Sequence, residues 1–167
     1  GIGTFHGDLH PGNCIIDEEG RFVFIDNGAI CHAPSHVNKS LFTFFQHLSD
    51  HRFDEAFKAL LGLSERSMDE NKISHYMGKM HDIYHDFEMK TVGEQSLTRI
   101  MMKTVRCAVE EAGAEFGEEA FPIIRALMYL DGLVIRTHPD VRLISSMGPY
   151  LDEFREHLPI GNEVQVV

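Results

Sequence analysis

The sequence has few cysteines and few cations, and each shortage excludes a class of protein. The three cysteines, Cys14, Cys31 and Cys107, are odd in number and show no closely spaced pair. Neither a disulfide framework nor a zinc site built on paired cysteines is therefore indicated, and a reducing cytosol is the simpler environment. Lys and Arg total 15 against 26 Asp and Glu, which gives a formal net charge of −11. This balance argues against nucleic acid, or an anionic membrane surface, as a partner attracted by bulk electrostatics.

The sequence also lacks a long hydrophobic run. Its longest apolar stretch, residues 122–135, is interrupted by Arg125 and Asp131. That stretch is too short to cross a bilayer, so we expect no transmembrane segment in this chain. No secretory signal, internal repeat or low-complexity tract is evident. The length of 167 residues, with 43% hydrophobic and 25% charged residues, suits one compact domain with its own core.

The most informative segment is residues 6–13, which read His-Gly-Asp-Leu-His-Pro-Gly-Asn. In a kinase catalytic loop, an Asp that positions or deprotonates the attacking hydroxyl is followed five residues later by an Asn that binds Mg²⁺. Asp8 and Asn13 have this spacing. Asp26, followed by Asn27 and Gly28, stands where kinases have the metal-binding Asp of Asp-Phe-Gly. We predict Asp8 as the catalytic carboxylate, with Asn13 and Asp26 as ligands of Mg²⁺ and thereby of the nucleotide cofactor.

The sequence between these residues predicts a β-hairpin. Residues 14–16 and 21–25 are short apolar runs, and residues 17–20 form a polar turn that ends in Gly. Such a hairpin brings the two ends of its strands together, which would place Asn13 beside Asp26. The alternative is an ordinary acidic hairpin in which Asp8 and Asp26 are turn residues.

After the hairpin the apolar residues recur at helical spacing. The predicted helices cover residues 37–48, 53–61, 73–87, 97–108, 121–134 and 150–157. We expect the helix that begins around Pro122, the most apolar of them, to form the centre of the lobe. Its expected buried residues are Phe121, Ile124, Leu127, Met128 and Val134. The predicted fold class is therefore mainly α with a short β-hairpin.

The downstream order of segments resembles a known family. Residues 49–63 are followed by 122–132, then by His-Pro-Asp at 138–140 and Pro-Tyr-Leu at 149–151. Together with the motif at residues 6–13, this order resembles the UbiB family of atypical kinases over about residues 4–157. The resemblance implies the C-terminal lobe of a protein-kinase-like fold. In that lobe, residues 1–31 would form the catalytic loop, hairpin and metal-binding loop, residues 32–160 a helical region, and residues 161–167 a loose tail.

The same resemblance implies a function for the intact protein. It would bind ATP or ADP with Mg²⁺ and support ubiquinone (quinone-lipid) biosynthesis, with quinone-pathway proteins or lipids as further partners. Its location would be cytoplasmic, peripheral at the inner membrane. The family's Lys-x-Gly-Gln extension, Ala-rich loop and small-lobe Lys do not precede the motif in this sequence. We therefore expect a fragment without the N-terminal lobe, which is inactive on its own.

Departures from the family pattern leave alternatives open. Gly7 and Leu9 stand where the family commonly has Ala and Pro, and they favour a small-molecule phosphotransferase of the aminoglycoside-kinase type. Asn27 replaces the usual Phe and, together with the missing lobe, favours a non-catalytic remnant or interaction module. His81 and His85 have the spacing of a zinc-binding pair on a helix, but we interpret them as solvated residues of a helix face.

Overall fold

The computed structural model of the protein describes residues 3–157, apart from the side chains of residues 88, 156 and 157. Its amino-terminal part contains four short strands: β1 (Thr4–His6), β2 (Cys14–Ile16), β3 (Phe22–Phe24) and β4 (Ile30–His32). Strands β2 and β3 pair antiparallel, which confirms the predicted hairpin, and β1 pairs antiparallel with β4. The second pairing was not predicted, because three-residue strands separated by 23 residues leave no local signal.

The hairpin turn is stabilised by Asp17. Its Oδ1 accepts hydrogen bonds from the backbone N–H groups of Glu19 and Arg21, at 3.0 and 2.8 Å. These hydrogen bonds, of which the one from the backbone of Arg21 has the largest effect, hold the pKa of the Asp17 carboxyl below its usual value. Gly20 completes the turn with a φ of +78°, a backbone conformation that glycine adopts without strain. The polar turn predicted at residues 17–20 therefore forms as an Asp-stabilised turn ending in Gly.

Within residues 3–157 six α-helices follow the strands, so the predicted mainly α fold class is confirmed. They are α1 (Ser35–Ser49), α2 (Phe53–Leu61), α3 (Glu70–Tyr84), α4 (Leu97–Cys107), α5 (Ala120–Thr137) and α6 (Leu143–His157). A π-helical turn, Ala108–Ala112, continues α4 and ends at Gly113 in the left-handed conformation. No helix in the described range 3–157 has the length and apolarity to cross a membrane.

Two helices begin three or more residues earlier than predicted. Helix α3 begins at Glu70, because the carboxylate of Asp69 caps its first turn by accepting from Asn71 N–H at 2.9 Å. The last helix begins at Leu143, seven residues earlier than expected, and includes Pro149. Ile144 and Leu151 are both buried, so apolar contacts two turns apart on one face explain its length. The tail predicted at 161–167 lies outside the described residues.

The core lies among α1, α2, α3 and α4. Its most fully buried large side chains are Leu48, Phe57, Tyr76, Met80 and Ile100. The buried hydroxyls in this core have partners: Tyr76 donates to the carbonyl of Phe57 at 3.0 Å, and Tyr84 bonds Thr104 at 3.0 Å. A buried hydroxyl without a partner would destabilise the fold, and these two bonds remove that cost.

The prediction that α5 forms the centre of the lobe was wrong. Only Ala126 and Asp131 are buried in this helix, whereas Phe121 is 80% exposed and Met128 is 41% exposed. The remaining predicted residues, Ile124, Leu127 and Val134, are half-buried. Helix α5 packs on α4 at the edge of the lobe, with apolar residues around most of its circumference. High apolar content therefore did not indicate a central position here.

Candidate active site

His6 joins the two loops that carry the predicted site residues. Its side chain is 8% exposed and stacks on Phe24, with the ring centroids 5.7 Å apart. Its Nδ1 accepts a hydrogen bond from the backbone N–H of Asp8 at 3.2 Å. Its Nε2 therefore carries the hydrogen and donates to the carbonyl oxygen of Asp26. One imidazole thus fixes the backbone of Asp8 relative to that of Asp26.

Asn13 is buried and its amide orientation is set by the catalytic loop. Its Nδ2 donates to the carbonyl of Asp8 at 3.0 Å. Asn13 ends a short 3₁₀ turn, Pro11–Asn13, which His10 caps by accepting from Gly12 N–H at 3.0 Å. With the amide nitrogen committed to Asp8, Oδ1 is the atom that Asn13 can offer to a cation.

Asp26 lies immediately beyond the pairing of β2 with β3. The backbone N–H of Ile25 donates to the carbonyl of Asn13 at 3.1 Å, so the residue before Asp26 is bonded directly to Asn13. Oδ1 of Asp26 accepts a hydrogen bond from Gly28 N–H at 2.8 Å, which leaves Oδ2 of Asp26 as the remaining ligand atom. Asp26 and Asn27 are exposed. The structure thus brings the backbones of Asn13 and Asp26 together, as the hairpin geometry predicts.

Asp8 is partly exposed and faces His10. Its Oδ2 lies 3.9 Å from Nε2 of His10, and about a third of the Asp8 side chain is accessible. Because Nδ1 of His10 accepts from Gly12, Nε2 carries the hydrogen and points its positive end towards the carboxylate. His10 also makes an edge contact with the ring of Tyr129 at 6.0 Å. The loop that carries Asp8 is therefore held by several contacts. Its carboxylate is accessible to a substrate hydroxyl.

Gly7, the residue before Asp8, is held by hydrogen bonds at both its N–H and its carbonyl. The N–H of Gly7 donates to the carbonyl of Ala29 at 2.7 Å. Its carbonyl accepts from Nε of Arg125 in α5 at 2.8 Å. A Cβ at Gly7 would lie 2.6 Å from Sγ of Cys31, so a side chain would fit there only if Cys31 or the backbone shifted. Sequence reasoning missed all three contacts, although one signal was present: Arg125 interrupts the most apolar stretch of the chain.

These residues fit a magnesium site. The remaining atoms of Asn13 and Asp26 are oxygens, the ligand type that Mg²⁺ prefers, and Mg²⁺ commonly uses one or two protein ligands together with phosphates and water. Within residues 3–157 no group of three or more His, Cys, Asp or Glu side chains is arranged to hold a metal by itself. The donor set therefore suits a cation shared with a phosphorylated ligand.

His81 of α3 and His85, which directly follows α3, contact different carboxylates. Nε2 of His81 lies 2.7 Å from Oδ1 of Asp54, and Nδ1 of His85 lies 2.6 Å from Oδ1 of Asp86. Both histidines are exposed. These pairs connect α3 to α2 and to the following turn, and each ring has a protein partner of its own.

Comparison with known proteins agrees with this geometry. Residues 1–60 match the ABC1 atypical kinase-like domain. The chain is 25% identical over 155 residues to the chloroplastic protein ACTIVITY OF BC1 COMPLEX KINASE 3 of Arabidopsis thaliana, covering 89% of this chain and 20% of that protein. It is 19% identical over 162 residues to an uncharacterised protein in the hydrogenase 1 5′ region of Clostridium pasteurianum, covering 96% of this chain and 30% of that protein.

The chain thus spans about a fifth of one relative and less than a third of the other. No solved structure gives a significant match. The matched residues 1–60 include the catalytic loop, the hairpin and the first helix. Residues 1–60 are therefore similar to the ABC1 atypical kinase-like domain, the domain of the UbiB family that the motif predicts.

Proposed function

We propose that this chain is the catalytic and metal-binding lobe of an ATP-dependent phosphotransferase. In this proposal Asp8 orients the hydroxyl of the phosphoacceptor and accepts its proton. Asn13 and Asp26 hold Mg²⁺ through their remaining oxygens. The cation, when bound with ATP, supplies neutralisation of the charge on the transferring phosphoryl group. Nucleotide is held between this lobe and a second, smaller lobe of the kinase fold.

The observation that carries the proposal is the bridge made by His6. A carboxylate base and a metal ligand lie on different loops, and they act together only if the loops keep a fixed separation. His6 provides this by bonding the backbone of Asp8 with one nitrogen and that of Asp26 with the other. The bond from Asn13 to the carbonyl of Asp8 ties in the third residue. An ordinary acidic turn has no need of such a network.

We extend the proposal to a role in ubiquinone (quinone-lipid) biosynthesis, in which the protein acts at a membrane on or beside quinone-pathway proteins or lipids. This extension rests on the resemblance of the whole segment order to the UbiB family. The inner membrane is the proposed place of action, with peripheral attachment.

A small-molecule phosphotransferase is the second candidate, and Gly7 and Leu9 favour it by their similarity to the aminoglycoside-kinase motif. The packing of Gly7 weakens this argument. Because Sγ of Cys31 lies 2.6 Å from the position of a Cβ at residue 7, the neighbouring side chain favours glycine there. The replacement of Ala by Gly is therefore explained without a change of substrate class.

The metal assignment is tested with Mn²⁺ as a paramagnetic substitute for Mg²⁺. In NMR spectra recorded with ATP on the chain joined to a nucleotide-binding small lobe, Mn²⁺ should broaden the amide signals around Asn13 and Asp26 first. Asp26→Ala should abolish this broadening, because the mutation removes a carboxylate ligand. Glu18→Ala is the matched control: Glu18 is an exposed acidic residue in the same hairpin and should leave the broadening unchanged. Equal broadening in the Asp26→Ala protein would exclude Asp26 as a ligand.

The catalytic assignment is tested on a protein that joins this chain to a nucleotide-binding small lobe. Asp8→Asn keeps the size of the side chain and removes its basicity. It should leave Mg-ATP affinity within a few fold and lower turnover by roughly 10²-fold or more. Asp26→Ala should instead weaken Mg-ATP binding. Turnover by the Asp8→Asn protein at the parent rate would exclude Asp8 as the catalytic carboxylate.

A further inference from the structure

Helix α5 contacts the loop that carries Asp8 at two places, one on each side of Asp8 in the sequence. Nε of Arg125 donates to the carbonyl of Gly7 at 2.8 Å, and the ring of Tyr129 contacts the imidazole of His10. Arg125 and Tyr129 are four positions apart, so they project from the same face of the helix. The placement of α5 therefore affects the surroundings of Asp8 both before and after it in the chain.

The imidazole of His10 is held by its neighbours on two sides. Its Nδ1 accepts from Gly12 N–H at 3.0 Å, and the ring lies so close to Gly12 that a Cβ there would be 2.8 Å from Cε1. On another side is the ring of Tyr129, with the centroids 6.0 Å apart and the ring planes inclined by 69°. This edge contact is an arrangement that aromatic rings favour. Gly12 and Tyr129 together restrict the rotation of the imidazole.

The orientation of the His10 ring decides which of its atoms faces Asp8. A neutral imidazole has one N–H donor and one acceptor nitrogen. Because Nδ1 accepts from Gly12, the hydrogen is on Nε2, which lies 3.9 Å from Oδ2 of Asp8. This separation is longer than a hydrogen bond, so the attraction is between the N–H dipole and the charge of the carboxylate. A ring rotated by half a turn would present carbon atoms to both Gly12 and Asp8, and the attraction would be lost.

The carboxylate of Asp8 acts as a base only if one of its oxygens faces the acceptor hydroxyl. About a third of the Asp8 side chain is accessible, and its Oδ2 faces Nε2–H of His10. This attraction favours a rotamer that leaves the other oxygen for the hydroxyl. We propose that Tyr129 is a positioning residue for Asp8 and acts through His10, by holding the imidazole with Nε2–H towards the carboxylate. The inference rests on the proposed phosphotransferase function, in which Asp8 is the base.

The first test observes His10 directly and does not need turnover. Long-range ¹H–¹⁵N spectra of the chain, recorded in alkaline buffer where imidazole is neutral, show which nitrogen carries the hydrogen. The parent should show the Nε2–H form, and so should Tyr129→Phe, which keeps an aromatic ring at this position. Tyr129→Leu should move both nitrogen signals towards those of a mixture of the two tautomers. The His10 signals are assigned by their loss in the His10→Asn protein. Tyr129→Met takes the place of Tyr129→Leu if that protein does not fold.

The second test measures ADP release from Mg-ATP by the chain joined to a nucleotide-binding small lobe. Tyr129→Leu should lower kcat by roughly 10-fold or more and leave KM for Mg-ATP unchanged, because the base is misdirected while the metal ligands stay in place. Tyr129→Phe should keep the parent kcat. Phe121→Leu is the matched control, since it makes the same exchange of an aromatic ring for Leu at an exposed position of α5. It should behave like the parent.

His10→Asn tests whether Tyr129 acts through His10. The Asn oxygen can still accept from Gly12 N–H, so the turn keeps its cap, but the N–H that faces Asp8 is lost. This change should lower kcat as Tyr129→Leu does, and the double mutant should be no slower than His10→Asn alone.

Three results would each overturn the inference: an unchanged tautomer in Tyr129→Leu, a parent kcat in that protein, or fully additive losses in the double mutant. The Asp8→Asn protein separates this failure from that of the proposed function. If Asp8→Asn is slow while Tyr129→Leu keeps the parent rate, the positioning role alone is wrong. If Asp8→Asn turns over at the parent rate, the proposed function is wrong, and the positioning role falls with it.

Discussion

Gly7 shows how one neighbouring side chain restricts the residue type in the loop that carries Asp8. A methyl group at position 7 would meet Sγ of Cys31 at 2.6 Å and the carbonyl oxygen of Ala29 at 3.2 Å. The first separation is far below contact distance, whereas the second can be relieved by a small shift. Cys31 lies in β4, opposite Phe5 of β1, so its position is fixed by strand pairing. An Ala at this position, the residue common in the UbiB pattern, would therefore require Cys31 to change rotamer or the backbone to shift.

A double-mutant cycle tests this dependence at the residue scale. Gly7→Ala should destabilise the chain by about 1–3 kcal/mol, because the new methyl overpacks against Cys31. Cys31→Ala should remove most of that penalty, since its Cβ would lie at an ordinary 3.7 Å from the new methyl. Urea unfolding of the four proteins gives the coupling energy. Additive effects would show that Cys31 does not restrict position 7.

At the scale of single elements, Asp131 of α5 binds the N-terminal end of α4. It is 3% exposed, and its carboxylate accepts from the hydroxyl of Ser96 at 2.6 Å. It also accepts from the N–H groups of Leu97 and Thr98, both at 2.9 Å. Burial opposes the ionisation of this carboxyl, but the hydrogen bonds outweigh burial and hold its pKa below the ordinary value. An acid from α5 thus satisfies the first turn of α4.

Asp131→Asn should lower the free energy of unfolding by about 2–3 kcal/mol at pH 7, because the amide cannot accept all three bonds. The folded-state pKa is depressed, so the stabilisation is fully present above the unfolded pKa of about 4 and is lost as the pH falls below it. The stability difference between the parent and the Asp131→Asn protein should therefore shrink in acid. Urea unfolding between pH 7 and pH 3 measures it, with the exposed Asp140→Asn as control. A pH-independent difference would argue against an ionised Asp131.

The elements differ in how far the sequence predicts them. The β2–β3 hairpin was predicted because its strands, its turn and the acid that stabilises the turn lie within eleven residues. The positions of Asn13 and Asp26 followed from the same short-range pattern. The location of α5 did not follow, because Arg125 and Asp131 find their partners 118 and about 34 residues away. In the sequence these two residues mark only a break in hydrophobicity, and neither residue identifies its partner.

For the whole molecule, the position of the core decides which aromatic residues stabilise the fold. Phe57 of α2 has no accessible surface and contacts the rings of Phe53, His81 and Tyr84. Phe121 of α5 is 80% exposed. Phe57→Ala should cost about 3–5 kcal/mol, and Phe121→Ala should change stability by less than about 0.5 kcal/mol. Chemical unfolding of both proteins checks the contrast. Comparable losses would place α5 in the core after all.

The bond between Arg125 and Gly7 also has a consequence for the order of assembly. It joins residues 118 positions apart, whereas α1 and α2 pack within a segment of 27 residues. During synthesis the loop that carries Asp8 leaves the ribosome before α5, and its anchor Arg125 is translated more than a hundred residues later. Closing a loop of that length is slow compared with local helix packing. The loop that carries Asp8 is thus among the last parts to reach its final position, and a chain that stops before α5 would keep the helical centre while this loop lacks that anchor.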